Sequence, residues 1–383
     1  MALLSTFGGA GGAGGAGGAG GAGGAGGAGL DAGVGVFGGV LAYSPLLSNA
    51  MILAQDGISG PWKGARSAIK QYKGDTPGNM DLWAPWVRSF VLETEILSRL
   101  VFKTATVSAG RGKEDKVEVA MWHMGHGNSG SVDTAPTCAP TLITKLVRPT
   151  VADFKLQLNL VRGYADLRSD RLPEIVTQLG FPTPYFGSII SLHPERTRHT
   201  LELIALAQGF AATVSMRVKH ALACKRPDLY SSQIQPMIPT PGHGSLPAAH
   251  AVEAFVVAEL LKNITDADLE TQKMLDRQAS RISVNRTVAG VHFPADSISG
   301  GMLGQTLAEY LSVCAGATVK LRSARFLGRG IGERDFILSD LMDENGIRKP
   351  IPNLVKLTDL ATSTWSICPS LKWLWDKAKS EWR

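Results

Sequence analysis

The chain has 383 residues, 44% of them hydrophobic and 19% charged, enough for one large buried core or two medium ones. Its 39 Lys and Arg against 33 Asp and Glu give a formal charge of +6, spread along the sequence rather than gathered in a run. No basic stripe interleaved with aromatics is present, which argues against a nucleic-acid partner, and no apolar run reaches the roughly 18 residues of a membrane span.

Residues 8–29 repeat Gly-Gly-Ala with no charge and almost no side chain to bury, so 1–29 is predicted to be a disordered tail. The opening MALLSTFGG lacks the basic segment of a signal peptide, and the expected location is cytoplasmic. Cys138, Cys224, Cys314 and Cys368 are widely spaced with no C-x-x-C pair, as free thiols of a reducing compartment would be. Apolar residues at helical spacing predict helices over 81–101 and 151–179, the second interrupted at Pro173. Between them, 104–150 is rich in Gly, Ser, Thr and Pro and reads as loop, with a hairpin at most. A helix over 196–224 is stopped by Pro227, and a Pro- and Gly-rich loop at 235–247 leads into a helix over 247–262. Thr265 to Asp268 reads as a capping box that opens a helix to about Asn285. A last helix is predicted from Asp296 or Ser297 to about Val319, and 320–383 reads as irregular, basic and Trp-containing. The expected fold is all-α, with helical bundles (two four-helix-bundle-like units) and long connecting loops. The expected parts are the tail at 1–29, an N-terminal helical part with a loop-rich insertion at 30–195, a bundle at 196–319 and a C-terminal tail at 320–383.

Three clusters in the second half carry chemistry. Lys219 and Arg226 are two helical turns apart, about 10 Å along one face, at the end of a long apolar helix. Taken alone, they read as dipole-favoured surface charge. Pro247-Ala248-Ala249-His250 stands at a helix start, where unpaired N–H groups and the dipole favour an anion and a histidine can move protons. Arg286, His292 and Asp296 bring a guanidinium, an imidazole and a carboxylate to one inter-helical turn. An Asp bonded to one ring nitrogen leaves the other free to attack or ligate.

In this order and spacing, over 196–303, the clusters resemble the three-part signature of the superfamily joining type 2 phosphatidic-acid phosphatases with vanadium-dependent haloperoxidases. The resemblance implies that Lys219, Arg226, Arg286 and the Ala249 N–H hold the oxygens of phosphate or vanadate. It implies that His292 bonds to phosphorus or vanadium and that His250 is the acid–base group. The second motif departs from the family's Pro-Ser-Gly-His, since Ala248 has no hydroxyl to donate, a loss of about 1–3 kcal/mol unless replaced. Ser245 is the expected substitute. His243, seven residues before His250, stands where algal bromoperoxidases have a second histidine. The expected function is therefore a vanadate-dependent haloperoxidase that oxidises bromide or iodide with hydrogen peroxide to hypohalous acid. The alternatives are a soluble acid phosphatase with a phosphohistidine intermediate and a non-catalytic homologue that keeps oxyanion binding. Expected partners are hydrogen peroxide and halide, with a small organic substrate or phosphate ester beside them; a homo-oligomer is left open.

Other features are set aside at this stage. His123 and His126 read as a loop pair, and Gly328, Gly330 and Gly332 as a turn following a helix. The sequons at Asn263 and Asn285 lack an export signal beside them. Trp365, Trp373, Trp375 and Trp382 read as anchors for the C-terminal tail.

Overall fold

A computed structural model describes residues 45–66, 68–125 and 139–383. The Gly-Ala tract, Cys138 and His126 lie outside the described residues. The chain divides into two compact units, Met1–Trp86 and Val87–Arg383. In the first, the described residues form a helix, α1 (Pro45–Ile58), and a 3-10 segment (Pro77–Leu82).

The second unit opens with α2 (Pro85–Leu97), whose residues from Val87 on belong to it. Three strands follow, β1 (Leu100–Val107), β2 (Lys116–His123) and β3 (Thr141–Val147). The chain then turns helical through α3 (Val151–Gly163), α4 (Arg168–Thr177), the short α5 (Thr183–Gly187), α6 (Arg198–Leu222), α7 (Ala249–Ile264), α8 (Leu269–Val288) and α9 (Pro294–Cys314). It ends with β4 (Lys320–Phe326), α10 (Leu338–Leu341), β5 (Val355–Ala361) and α11 (Pro369–Ser380).

The all-α expectation is wrong. The five strands form one mixed sheet in the order β1-β2-β3-β4-β5, parallel between β3 and β4 and antiparallel elsewhere. The local reason is legible in β2, where Val117, Val119, Met121 and His123 alternate with more exposed residues, the two-residue period of a half-buried strand. That buried face packs on α6, and β4 packs on α9. The supposed irregular tail thus supplies two strands and two helices. His123 is no loop residue: it is buried at the end of β2, shares a hydrogen bond with Tyr310 and stacks on Trp365 with ring centroids 3.8 Å apart. The glycine turn follows β4, not a helix, and its Gly330 and Gly332 N–H groups face the Asp153 carboxylate.

The helical core is built around α9, in which every residue except Glu309 is buried. A helix apolar nearly all round must be central. Gly300 and Gly304 let α7 approach it backbone to backbone. A Cβ on Gly300 would lie 2.7 Å from Ala251 Cβ and 2.8 Å from Ala248 O, and one on Gly304 2.5 Å from Val252 O. This close approach sets the start of α7 against the start of α9. Among the described residues one stretch, Arg198–Leu229, is long and apolar enough to cross a membrane, and 67% of its most apolar window is buried within the protein.

Candidate oxyanion site

The expected site residues sit where four segments meet: the end of α6, the loop before α7, the end of α8 and the start of α9. Lys219 lies in the last turn of α6 and is 1% exposed. Arg226 does not share its helical face, because α6 ends at Leu222 and Ala223 turns left-handed at φ 49°. Arg226 is extended, at φ −85° and ψ 163°, and reaches the site from a loop. Ala248 is the N-cap of α7, which makes Ala249 its first residue and His250 its second. Asp296 is in the first turn of α9 and His292 lies just before that helix.

The imidazole of His292 is oriented through one nitrogen. Its Nδ1 lies 2.9 Å from Asp296 Oδ2, which also accepts the Phe293 N–H at 2.9 Å and the Ser245 hydroxyl. The carboxylate is the acceptor, so Nδ1 carries the proton and Nε2 presents a lone pair. Nε2 faces Arg226 Nη1 at 3.4 Å. Burial, then Arg226, Lys219, His250 and Arg286, hold His292 well below the usual histidine range. The ring is therefore neutral across the physiological range, and all these groups converge on it. Ser245 is not the expected substitute for the missing hydroxyl, because its hydrogen is committed to Asp296.

Arg226 is anchored by two backbone carbonyls, with Nε on His243 O at 2.9 Å and Nη1 on Val291 O at 2.7 Å. Its Nη2 reaches Nδ1 of His243, on the exposed rim, at 3.2 Å. Lys219 Nζ donates to Gly244 O at 2.9 Å and Ser245 O at 2.6 Å, which leaves its third proton. Burial, with help from Arg226, lowers Lys219 to about 7.

His250 and Arg286 meet through a residue that sequence reasoning missed. Gln178, just beyond α4 and fully buried, takes an Arg286 Nη2 bond on its side-chain oxygen at 2.9 Å. Its backbone oxygen lies 2.8 Å from His250 Nε2. A carbonyl only accepts, so Nε2–H is the donor and Nδ1 is the atom of His250 that takes or gives a proton. Burial and then Arg286 lower His250 to about 3. No spacing signal in the sequence links Gln178 to His250, and only the fold of α4 against α8 brings it there.

Opposite tautomers are thus expected for the two histidines. In nitrogen NMR of labelled protein near pH 6, His292 should be neutral with its proton on Nδ1, and His250 neutral with its proton on Nε2. A doubly protonated ring at either position would contradict this geometry.

Lys219, Arg226 and Arg286 are 1–2% exposed, and none comes within 4 Å of a carboxylate oxygen among the described residues. Buried charges are ordinarily paired, and unpaired ones are costly. Arg286 Nε is moreover a buried donor with no partner. The backbone N–H groups of Ala249 and His250, at the positive end of α7, make no hydrogen bond among the described residues. This donor set fits a tetrahedral oxyanion such as phosphate or vanadate. Among the described residues no cluster of three or more His, Cys, Asp or Glu side chains is placed to bind a bare metal ion. A cleft of about 750 Å³ lined by Lys273, Asp276, Arg277, Asp343 and Glu344 shares no residue with the site and mixes both signs of charge.

No protein-family model matches this chain, and no curated protein matches it.

Proposed function

We propose that the chain is an oxyanion enzyme of the vanadium-haloperoxidase type, oxidising bromide or iodide with hydrogen peroxide to hypohalous acid. The observation that carries this is the cluster of three buried, unpaired cations around one neutral, oriented imidazole. His292 Nε2 would be the nitrogen donor for vanadate, whose oxygens would rest on Lys219, Arg226, Arg286 and the Ala249 N–H. The bound group would supply a Lewis acid that activates peroxide toward halide. Asp296 and Ser245 hold His292 in the right tautomer. Lys219 would polarise an oxygen of the bound group with its third proton, and His250 Nδ1, which carries a free lone pair, would be the base of the site. His243 is bonded to Arg226 at the rim, and its likeness in position to the second histidine of algal bromoperoxidases is what inclines this reading to halide chemistry. A cytoplasmic setting, with Cys224, Cys314 and Cys368 as free thiols, belongs to the same proposal.

A second reading rests on the same lone pair. His292 Nε2 is placed to attack phosphorus, so that an N–P bond forms while the P–O bond to the alcohol breaks. The leaving oxygen would draw its proton from Lys219 Nζ, and the free lone pair of His250 Nδ1 would accept a proton from the water that hydrolyses the phosphohistidine.

The test is vanadate-dependent bromination of a phenol-red-type dye in bromide and peroxide, run beside hydrolysis of an aryl phosphate by metal-free protein. Bromination that needs vanadate is the expected result. Hydrolysis without bromination would replace the first reading with the second, and silence in both with oxyanion binding retained would leave a non-catalytic binder.

A further inference from the structure

Glu253 is a carboxyl that neither reading uses. It lies on α7 three residues after His250 and four after Ala249, on the helical face that carries them. Side chains on a helix lean toward its N-terminus, so the Glu253 carboxyl is directed over the first turn of α7, where the free N–H groups of Ala249 and His250 are. The residue is 6% exposed, and its carboxyl makes no hydrogen bond and no ion pair among the described residues. Lys219 from α6 and Arg286 from α8 both act on it electrostatically, yet neither comes within 4 Å. A lone buried carboxyl facing two lone buried cations across such a gap is an arrangement that a shared ligand completes.

A hydroxyl donor is also missing from this spot. Ala248 has none, and the Ser245 hydroxyl is turned to Asp296 on the far side of the His292 ring. We propose that Glu253 supplies the missing donor: its protonated carboxyl gives an O–H hydrogen bond to the tetrahedral oxyanion held by Lys219, Arg286 and the start of α7. This rests on the oxyanion reading above and adds a binding residue to it. Burial, opposed by Lys219 and Arg286, raises Glu253 to about 8, so the O–H is present at neutral pH. Above that pH the carboxylate would repel the anion it otherwise binds.

Tungstate is the probe, being tetrahedral and doubly charged throughout the range, so that its own titration does not intrude. Calorimetric affinities are measured between about pH 7 and pH 9 for wild type, E253Q and E253M. Glutamine keeps a neutral donor, methionine keeps the volume without one, and thermal unfolding confirms that each variant is folded. E253Q should bind within about threefold of wild type near pH 7, and E253M about tenfold more weakly, the loss of one hydrogen bond to a charged group. Wild type should lose affinity more steeply with rising pH than E253Q, because Lys219 discharges in both but only wild type gains a carboxylate. Equal or tighter binding by E253M would overturn the proposal, as would matching pH profiles for wild type and E253Q. Failure of wild type itself to bind tungstate would instead remove the oxyanion reading on which the proposal stands.

Discussion

Replacing His292 by alanine should lower vanadate-dependent bromination at least about a thousandfold, to the level given by vanadate free in solution. The ring is the group at which Asp296, Ser245, Arg226 and Lys219 converge, and its Nε2 lone pair has only a 3.4 Å contact with Arg226 to displace. His250 has its Nε2 held by Gln178 O, and His243 lies on the rim. The fold should survive, since Asp296 keeps the Phe293 N–H and the Ser245 hydroxyl as donors when the imidazole is gone. The cavity should cost about 1–3 kcal/mol, and imidazole added to the assay should enter it and restore part of the activity. Thermal unfolding and bromination of the same preparation separate the two effects. A folded variant that still brominates, or a folded inactive one that imidazole does not restore, would show that His292 is not where vanadate binds.

The helices around the site were legible because each carries a local signal. The Pro- and Gly-rich loop marks the start of α7, but α6 ends at Leu222, short of Pro227. The capping box expected at Thr265–Asp268 is a single cap, in which Asp268 accepts the Thr271 N–H while Thr265 ends α7. Lys219, Arg226, His250, Arg286, His292 and Asp296 could be picked out by their order and spacing in the sequence, and the fold brings them into mutual electrostatic reach. The sheet was legible only in part. Alternation in β2 is a two-residue signal that the Gly-, Ser- and Pro-rich composition of its surroundings obscured. The parallel pairing of Thr144 with Ala324 joins positions 180 residues apart, which no local pattern announces. Arg226 was misplaced for a different reason: helical spacing extrapolates a helix past its end, and the left-handed residue that ends α6 is an alanine rather than the glycine that would have marked it. Glu253 left a trace in the sequence as a lone acid in the apolar run Ala-His-Ala-Val-Glu-Ala-Phe-Val-Val, which by itself gives it no role. Only its burial without a partner marks it as part of the site.

The unpaired cations predict that function and stability oppose one another at Arg286. Replacing it by methionine should raise the stability of the ligand-free protein by about 1–2 kcal/mol, a few degrees in Tm, while weakening tungstate binding by at least about a hundredfold. Burial lowers the Arg286 guanidinium to about 10, so the fold disfavours the very charge it encloses. What the guanidinium gains in return is small: one bond to Gln178 Oε1 at 2.9 Å and a long one to Ile175 O at 3.4 Å, with Nε left without a partner. Removing it leaves Gln178 Oε1 the Asn285 amide at 3.1 Å and gives up only the long bond to Ile175 O. Methionine fills most of the space and needs no partner. In wild type the cost of the buried charge is offset only when an anion arrives, so ligand at about a hundred times its Kd should stabilise the protein by about 2.7 kcal/mol, and the variant should gain almost nothing. A guanidinium kept for packing would behave the other way: the variant would melt earlier and still bind tungstate as wild type does. The sign of the Tm change in the ligand-free protein therefore decides whether Arg286 is part of the scaffold or is held there, at a loss to the scaffold, for an anion.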